Sequence, residues 1–200
     1  MSVNSMLLQR VAADPLSVAM SMALPSGQRV LARPLLSSDT ARLGAYFESL
    51  SAETRSRFGP HPLDAAAAAQ LCAEIDATRV LRWVAAADDE IVAYFILMWS
   101  VTTYERERYA AHDIALSGDV DCTFAPSVAD RFQGQGLGSL IFAPLRHLAR
   151  EAGRRRMVLL GGTQATNARA IAYYRRLGFA ELARFEEPPG VWNLDMWLMC

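Results

Sequence analysis

The sequence predicts an α/β domain built on a mixed, mostly antiparallel sheet with helices on both faces. Three observations carry this reading. First, the apolar runs 80–87 and 91–100 follow one another with only Asp88-Asp89-Glu90 between them, the pattern of a hairpin. Second, an apolar run over 120–128 leads through a glycine-rich loop into residues apolar at helical spacing (Leu137, Ile141, Leu145, Leu148, Ala152), and a short apolar run, 157–160, follows. Third, strands elsewhere succeed one another without helices between them, which argues against a doubly wound parallel sheet. With 52% hydrophobic residues in 200, the chain can build one substantial core.

Taken in order, residues 1–25 read as an N-terminal extension, helical or flexible, and residues 26–200 as the domain. A strand is expected over 29–35. Ser38 or Asp39 can cap a helix carrying Leu43, Tyr46, Phe47 and Leu50 on one face. Ser51 caps a second, short helix with Thr54 at its third position, and Asp64 caps an alanine-rich helix reaching about Asp76. After the hairpin, residues 101–117 read as a loop or strand edge. Pro126 lies inside the 120–128 strand and suggests a bulge there. The next helix runs from Leu137 to a stop at Gly153, with Pro144 inside it. Thr166 or Asn167 caps a last helix that ends at Gly178, and 179–185 with 191–199 form a final strand pair. Trp83, Trp99, Trp192 and Trp197 are expected to fill the core.

Twenty basic residues against 21 acidic, a net charge of -1, argue against a nucleic-acid partner held by broad electrostatics. Three cysteines without metal-like spacing, and no basic leader, favour a reducing, cytoplasmic setting. The longest strongly apolar run, 91–99, is too short to cross a bilayer as a helix, so no membrane partner is expected. No metal site is expected.

The most informative segment is Asp130-Arg131-Phe132-Gln133-Gly134-Gln135-Gly136-Leu137-Gly138-Ser139. Glycines at every second position let backbone approach a ligand closely, and the N–H groups of a first helical turn face an anion. The alternative is a turn shaped for packing alone. No G-x-x-x-x-G-K-[ST] and no G-x-G-x-x-G is present, which disfavours the common nucleotide loops. The pattern that fits is Q-x-x-G-x-G, filled by Gln133, Gly136 and Gly138.

This loop resembles the acetyl-CoA loop of the GNAT superfamily of N-acetyltransferases. Asn167-Ala168-Arg169-Ala170-Ile171-Ala172-Tyr173-Tyr174-Arg175-Arg176-Leu177-Gly178-Phe179 is similar to a second motif of that family, N-x-x-A-x-x-x-Y-x-x-x-G-F, at the expected separation. Leu50-Ser51-Ala52-Glu53-Thr54-Arg55-Ser56-Arg57-Phe58 resembles, less closely, a segment of some members, including bacterial protein-lysine acetyltransferases. The resemblance implies a GNAT-like domain with acetyl-CoA as cosubstrate and an acceptor that is a small amine, an amino sugar or a protein lysine. It leaves a homodimer open.

The resemblance further implies that Gln133, Gly134, Gln135, Gly136, Leu137, Gly138 and Ser139 wrap the CoA diphosphate, and that Pro126, Ser127 and Val128 pair with pantetheine. It makes Asn167 a CoA contact and Tyr174 the general acid to the departing thiolate, as a phenol can be. Asn167 can equally be an N-cap and Tyr174 a core residue. A lysine-like amine is almost wholly protonated at pH 7, a penalty of about 4.6 kcal/mol, so a base should matter. The sequence departs from the family here. Thr123 and Gly162 stand where different members carry a glutamate. Asp121 shares a strand face with Thr123 and is the leading base, ahead of Asp119, Glu105 and His112; a water relay is the alternative. Arg154-Arg155-Arg156 reads as a solvated charge run or a CoA phosphate contact, and Arg55, Arg57 and His61 lie where family members admit substrate. A CoA-binding module without turnover is the rival function.

Overall fold

The computed structural model describes residues 3–200, with side chains from residue 6. Among the described residues nine strands form one sheet: β1 (Met20–Ala23), β2 (Arg29–Pro34), β3 (Val80–Ala87), β4 (Glu90–Met98), β5 (Asp121–Val128), β6 (Arg156–Leu159), β7 (Thr163–Gln164), β8 (Ala180–Glu186) and β9 (Trp192–Met199). Their order is β1-β2-β3-β4-β5-β6-β9-β7, and β8 pairs with β9. β5 and β6 run parallel; every other pairing is antiparallel. That pair is the one joined by a crossover helix, as parallel neighbours require.

Among the described residues seven α-helices complete the fold: α1 (Val3–Ala13), α2 (Thr40–Ser49), α3 (Ala52–Ser56), α4 (Ala65–Ala73), α5 (Thr103–Ala110), α6 (Leu137–Glu151) and α7 (Ala168–Leu177). α6 packs on the sheet face bearing Phe124, whose ring centroid lies 5.2 Å from that of Phe142. α2 packs on the opposite face, where the Tyr46 hydroxyl and Ser127 Oγ share a 2.8 Å hydrogen bond. Phe124 and Ser127 are three apart on one strand, so their side chains leave opposite faces. Among the described residues no helix is long and apolar enough to cross a membrane.

Several local readings hold. Leu43, Tyr46, Phe47 and Leu50 are buried together. Ser51 Oγ accepts from the Thr54 N–H, and Asp64 Oδ1 from the Ala67 N–H. Gly178 ends α7 with φ +95°.

Others are corrected. The segment read as an extension belongs to the sheet: β1 pairs with β2, and Leu7, Val11, Val18 and Leu24 join the core. Asp39 is not a side-chain cap. It is buried, paired with Arg33 at 2.6 and 2.8 Å and with Arg42 at 2.8 Å. Burial pushes its carboxyl up, but Arg33, the Leu36 N–H and Arg42 outweigh that and hold it below its ordinary value. Residues 101–117 contain helix α5, started by a capping box between Thr102 and Glu105. α5 turns Tyr109 inward, and its hydroxyl donates to the Met196 carbonyl at 2.8 Å. No bulge occurs at Pro126, which sits in unbroken register opposite Phe95. Trp83 and Trp99 are core residues, whereas Trp192 is exposed.

Candidate functional site

β5 and β6 pair only from Asp121↔Arg156 to Phe124↔Leu159, with one further bond from the Leu160 N–H to the Phe124 carbonyl. Beyond this point β5 stays with β4 as far as Val128, while the chain after β6 turns at Gly161 and Gly162 and follows β9 as β7. The two strands therefore part. A cavity of about 610 Å³ opens between them, lined by Phe124 to Val128, by Leu160, Gly162 and Thr163, by the glycine loop, and by α7.

The parting explains Pro126. Phe124 turns its carbonyl toward β6, and Ala129 turns its N–H to Val92 on the β4 side. Alternate residues share an edge, so Pro126, like Phe124, directs its backbone away from β4. Its missing N–H removes no ladder bond, and no bulge is needed.

At the far end of β5 the glycine loop leads into α6. Gly134 and Gly136 have φ of +76° and +87°, a region that side-chain-bearing residues rarely adopt. Gly138 serves a different end. A Cβ there would lie 3.1 Å from the Tyr173 ring, and the Tyr173 hydroxyl donates to the Gly138 carbonyl at 3.0 Å. The N–H groups of Gly134, Gly136, Leu137, Gly138 and Ser139 have no acceptor among the described residues. Four of them lie at the start of α6, where unpaired donors and the helix dipole together favour an anion. Gln135 departs from expectation: its N–H donates to the Phe132 carbonyl at 3.4 Å, its side chain returns to the Arg131 carbonyl, and it lies off the cavity wall.

Gln133 braces the loop. Its Nε2 donates to the Val128 carbonyl at 3.0 Å and to Thr54 Oγ1 at 3.2 Å, and its Oε1 accepts from Arg169. Asn167 caps α7, its Oδ1 accepting from the Ala170 N–H at 3.1 Å and from Arg57 at 3.2 Å. It is therefore a cap, and it also lines the cavity. Tyr174 lines the cavity too; its hydroxyl has no protein partner among the described residues, and burial pushes its phenol above the ordinary value. It is therefore a neutral donor at pH 7.

α3 bridges the two banks. On one side Ser51 and Thr54 donate to the Asp130 carboxylate, at 2.9 and 2.6 Å. On the other, Arg57 reaches Asn167, and Gln164 Nε2 donates to the Ser56 carbonyl at 2.9 Å. The sequence pointed to Arg57 but not to this bridge. Arg169 and Arg176 also line the wall. With Tyr173 they recur at helical spacing on α7, a signal legible in the sequence and passed over.

The base candidates fare differently. Asp121 does not line the cavity. It is fully buried, accepts two bonds from Arg156 at 2.9 Å and one from the Ser117 N–H at 2.7 Å, and sits in the paired half of β5. Its shared face with Thr123 is real, but that face is covered and both carboxylate oxygens are taken. Asp119 and His112 are exposed and off the cavity wall. Glu105 is buried and accepts from the Gly161 N–H at 3.0 Å and from Thr102. Gly162 admits no side chain, because a Cβ would lie 2.8 Å from the Leu194 carbonyl and the Phe185 ring. Arg154 and Arg156 bond to the 115–121 segment, away from the cavity. His61 Nδ1 donates to the Pro62 carbonyl at 2.7 Å and its Nε2 meets the Tyr94 hydroxyl at 3.2 Å; burial pushes its imidazole below the ordinary value. Among the described residues no group of three or more His, Cys, Asp or Glu could hold a metal ion.

The profile of the acetyltransferase (GNAT) family matches residues 44–179, more than half of the chain. The chain belongs to the GNAT family. Its chemistry is acyl transfer from acetyl-CoA. The GNAT domain of S. lividans PAT superposes with a TM-score of 0.74 at 20% identity, covering 93% of this chain and 99% of that one. Mycobacterium smegmatis RimJ, solved with CoA-disulfide, gives 0.65 at 17% identity over 91% and 87%. YncA from Salmonella typhimurium, solved with acetyl-CoA, gives 0.60 at 19% over 85% and 93%. A search of curated proteins finds no match. At these identities the structural likeness establishes the shared GNAT fold.

Proposed function

We propose that this GNAT member is an N-acetyltransferase that moves the acetyl group of acetyl-CoA directly to a primary amine. The observation that carries the reading is the row of five unpaired N–H groups from Gly134 to Ser139, at one end of a cavity that also holds an unpartnered Tyr174 hydroxyl. The row would hold the diphosphate, with Arg169 and Arg176 adding charge. Pantetheine would lie along the open edge of β5, where the Pro126 carbonyl and the Val128 N–H turn into the gap, the Val128 carbonyl being held by Gln133. The thioester then reaches Tyr174, which donates its proton to sulfur as the C–S bond breaks. No cysteine lines the cavity among the described residues, which agrees with direct transfer and no acyl-enzyme.

The test is thiol release from acetyl-CoA with a panel of amines, using the wild-type chain and Tyr174→Phe. The reading expects amine-dependent release that falls about 100-fold in the variant, with acetyl-CoA affinity retained. Binding without release for every amine would favour the rival, a CoA-sensing module. One observation supports that rival: among the described residues no carboxylate or imidazole lines the cavity.

A further inference from the structure

Among the described residues the ionisable side chains on the cavity wall are Arg57, at the C-terminal end of α3, and Arg169, Tyr173, Tyr174 and Arg176 from α7; β5, the glycine loop and the β6–β7 turn contribute none. The acid–base groups that touch the wall from behind are committed elsewhere. Asp130 accepts from Ser51 and Thr54, Glu105 from the Gly161 N–H and Thr102, and Glu53 pairs with Arg57 at 2.7 Å. His61, in edge contact with the Phe58 ring, is held by Pro62 and Tyr94. Building on the acetyltransferase reading above, we infer that the acceptor is an α-amino group next to a carbonyl, as at the amino end of a peptide, and not a lysine side chain.

The magnitudes decide it. About one lysine amine in 2,500 is neutral at pH 7, against about one peptide α-amine in eight. The gap is roughly 300-fold, inside the range of about 10²–10⁴ that a positioned base contributes. An acceptor that arrives largely deprotonated needs no base from the wall. Charge agrees with proton supply. Three guanidinium groups face the cavity and one carboxylate, Glu53 on Arg57, offsets them, so a cationic lysine-rich or polyamine acceptor meets net positive charge, while a terminus that has shed its proton does not.

The step balances as follows. The neutral nitrogen bonds to the thioester carbon, the C–S bond breaks, and sulfur takes a proton from Tyr174. The nitrogen sheds one proton through water, and that proton restores the phenol.

The test uses the full chain with acetyl-CoA and three acceptors: a lysine-free tripeptide amide with a free α-amine, an amino acid amide, and an Nα-acetylated peptide amide with one lysine. At pH 7 the inference expects kcat/KM about 100-fold higher for the tripeptide or the amino acid amide than for the lysine peptide. It also expects kcat/KM to rise tenfold per pH unit up to the acceptor's own pKa, with the gap to lysine closing toward pH 10. The two α-amine arms separate a peptide terminus from a small aminoacyl molecule. Equal or faster use of lysine at pH 7, or a break below pH 7 that stays put when the acceptor changes, would overturn the inference. So would release with none of the three in protein that acetyl-CoA protects against melting. If acetyl-CoA gives no protection at all, the acetyltransferase reading falls with it.

Discussion

Strand β5 differs sharply between its two halves. From Asp121 to Phe124 it is paired with β6, from Thr123 onward also with β4, and its one carboxylate is closed by Arg156 and the Ser117 N–H. From Ala125 to Val128 it is paired on one edge only, and the glycine loop beyond it carries N–H groups with no protein partner. The half richer in catalytic-looking chemistry is spent on structure. The half with bland side chains keeps its hydrogen-bonding capacity. In this fold the groups available to a substrate are those the sheet leaves unsatisfied, and a buried charge with all its partners met has none left for chemistry.

The largest expected effect breaks the open half. Gly136→Val forces a β-branched residue to φ near +87° and disturbs the row of donors. Losing two charge-assisted hydrogen bonds costs about 4 kcal/mol, so acetyl-CoA affinity by calorimetry should fall on the order of 10³-fold, while the backbone strain, about 1–3 kcal/mol, lowers the melting temperature by several degrees. Next comes the closed half. Asp121→Asn leaves Arg156 without its counter-charge, and urea unfolding should show a loss of about 3 kcal/mol, the low end for a broken buried pair because Arg156 keeps some solvent. Turnover per folded molecule should stay within about twofold of wild type; a drop near 100-fold would restore Asp121 as the base.

A smaller effect concerns Tyr174. Its phenol is pushed up by burial, so the acid form persists above the ordinary value near 10. The kcat profile of the wild type should therefore show no alkaline loss from this group below about pH 10. The smallest concerns Pro126→Ala. Its nitrogen faces the gap, so the variant gains no ladder bond, and the loss of unfolded-state restriction should cost under about 1 kcal/mol in stability. A gain instead would place an N–H partner where the parted strands leave none.

What was legible in the sequence was local. The 80–98 hairpin, the glycine loop, and the helix from Asn167 to Gly178 are each specified by residues within a few positions of one another, and the structure follows them. Asp121 was misread because strand alternation tells which face a side chain leaves but not what covers that face. The cover at Asp121 is the segment after α5, whose Ser117 N–H bonds the carboxylate and whose Ala115 carbonyl holds Arg156, and α5 was itself missed. Its mean hydropathy is low and its inward residues are only Glu105 and Tyr109, so no apolar period announces it; the Thr102–Glu105 capping box was the available signal. Pro126 misled for a related reason. Whether a strand proline costs a bond depends on which edge its nitrogen faces, and that is set by where β6 stops pairing. The bridge of α3 to Asp130 and Asn167 joins residues 76 to 110 apart and leaves no local trace.

The most direct measurement is an amide NMR titration of the ¹⁵N-labelled protein with CoA. The account predicts that the resonances of Gly134, Gly136, Leu137, Gly138 and Ser139 move together and saturate with a single affinity, while those of residues 121–123 stay where they are. Saturable CoA binding that leaves those five amides unmoved would contradict it.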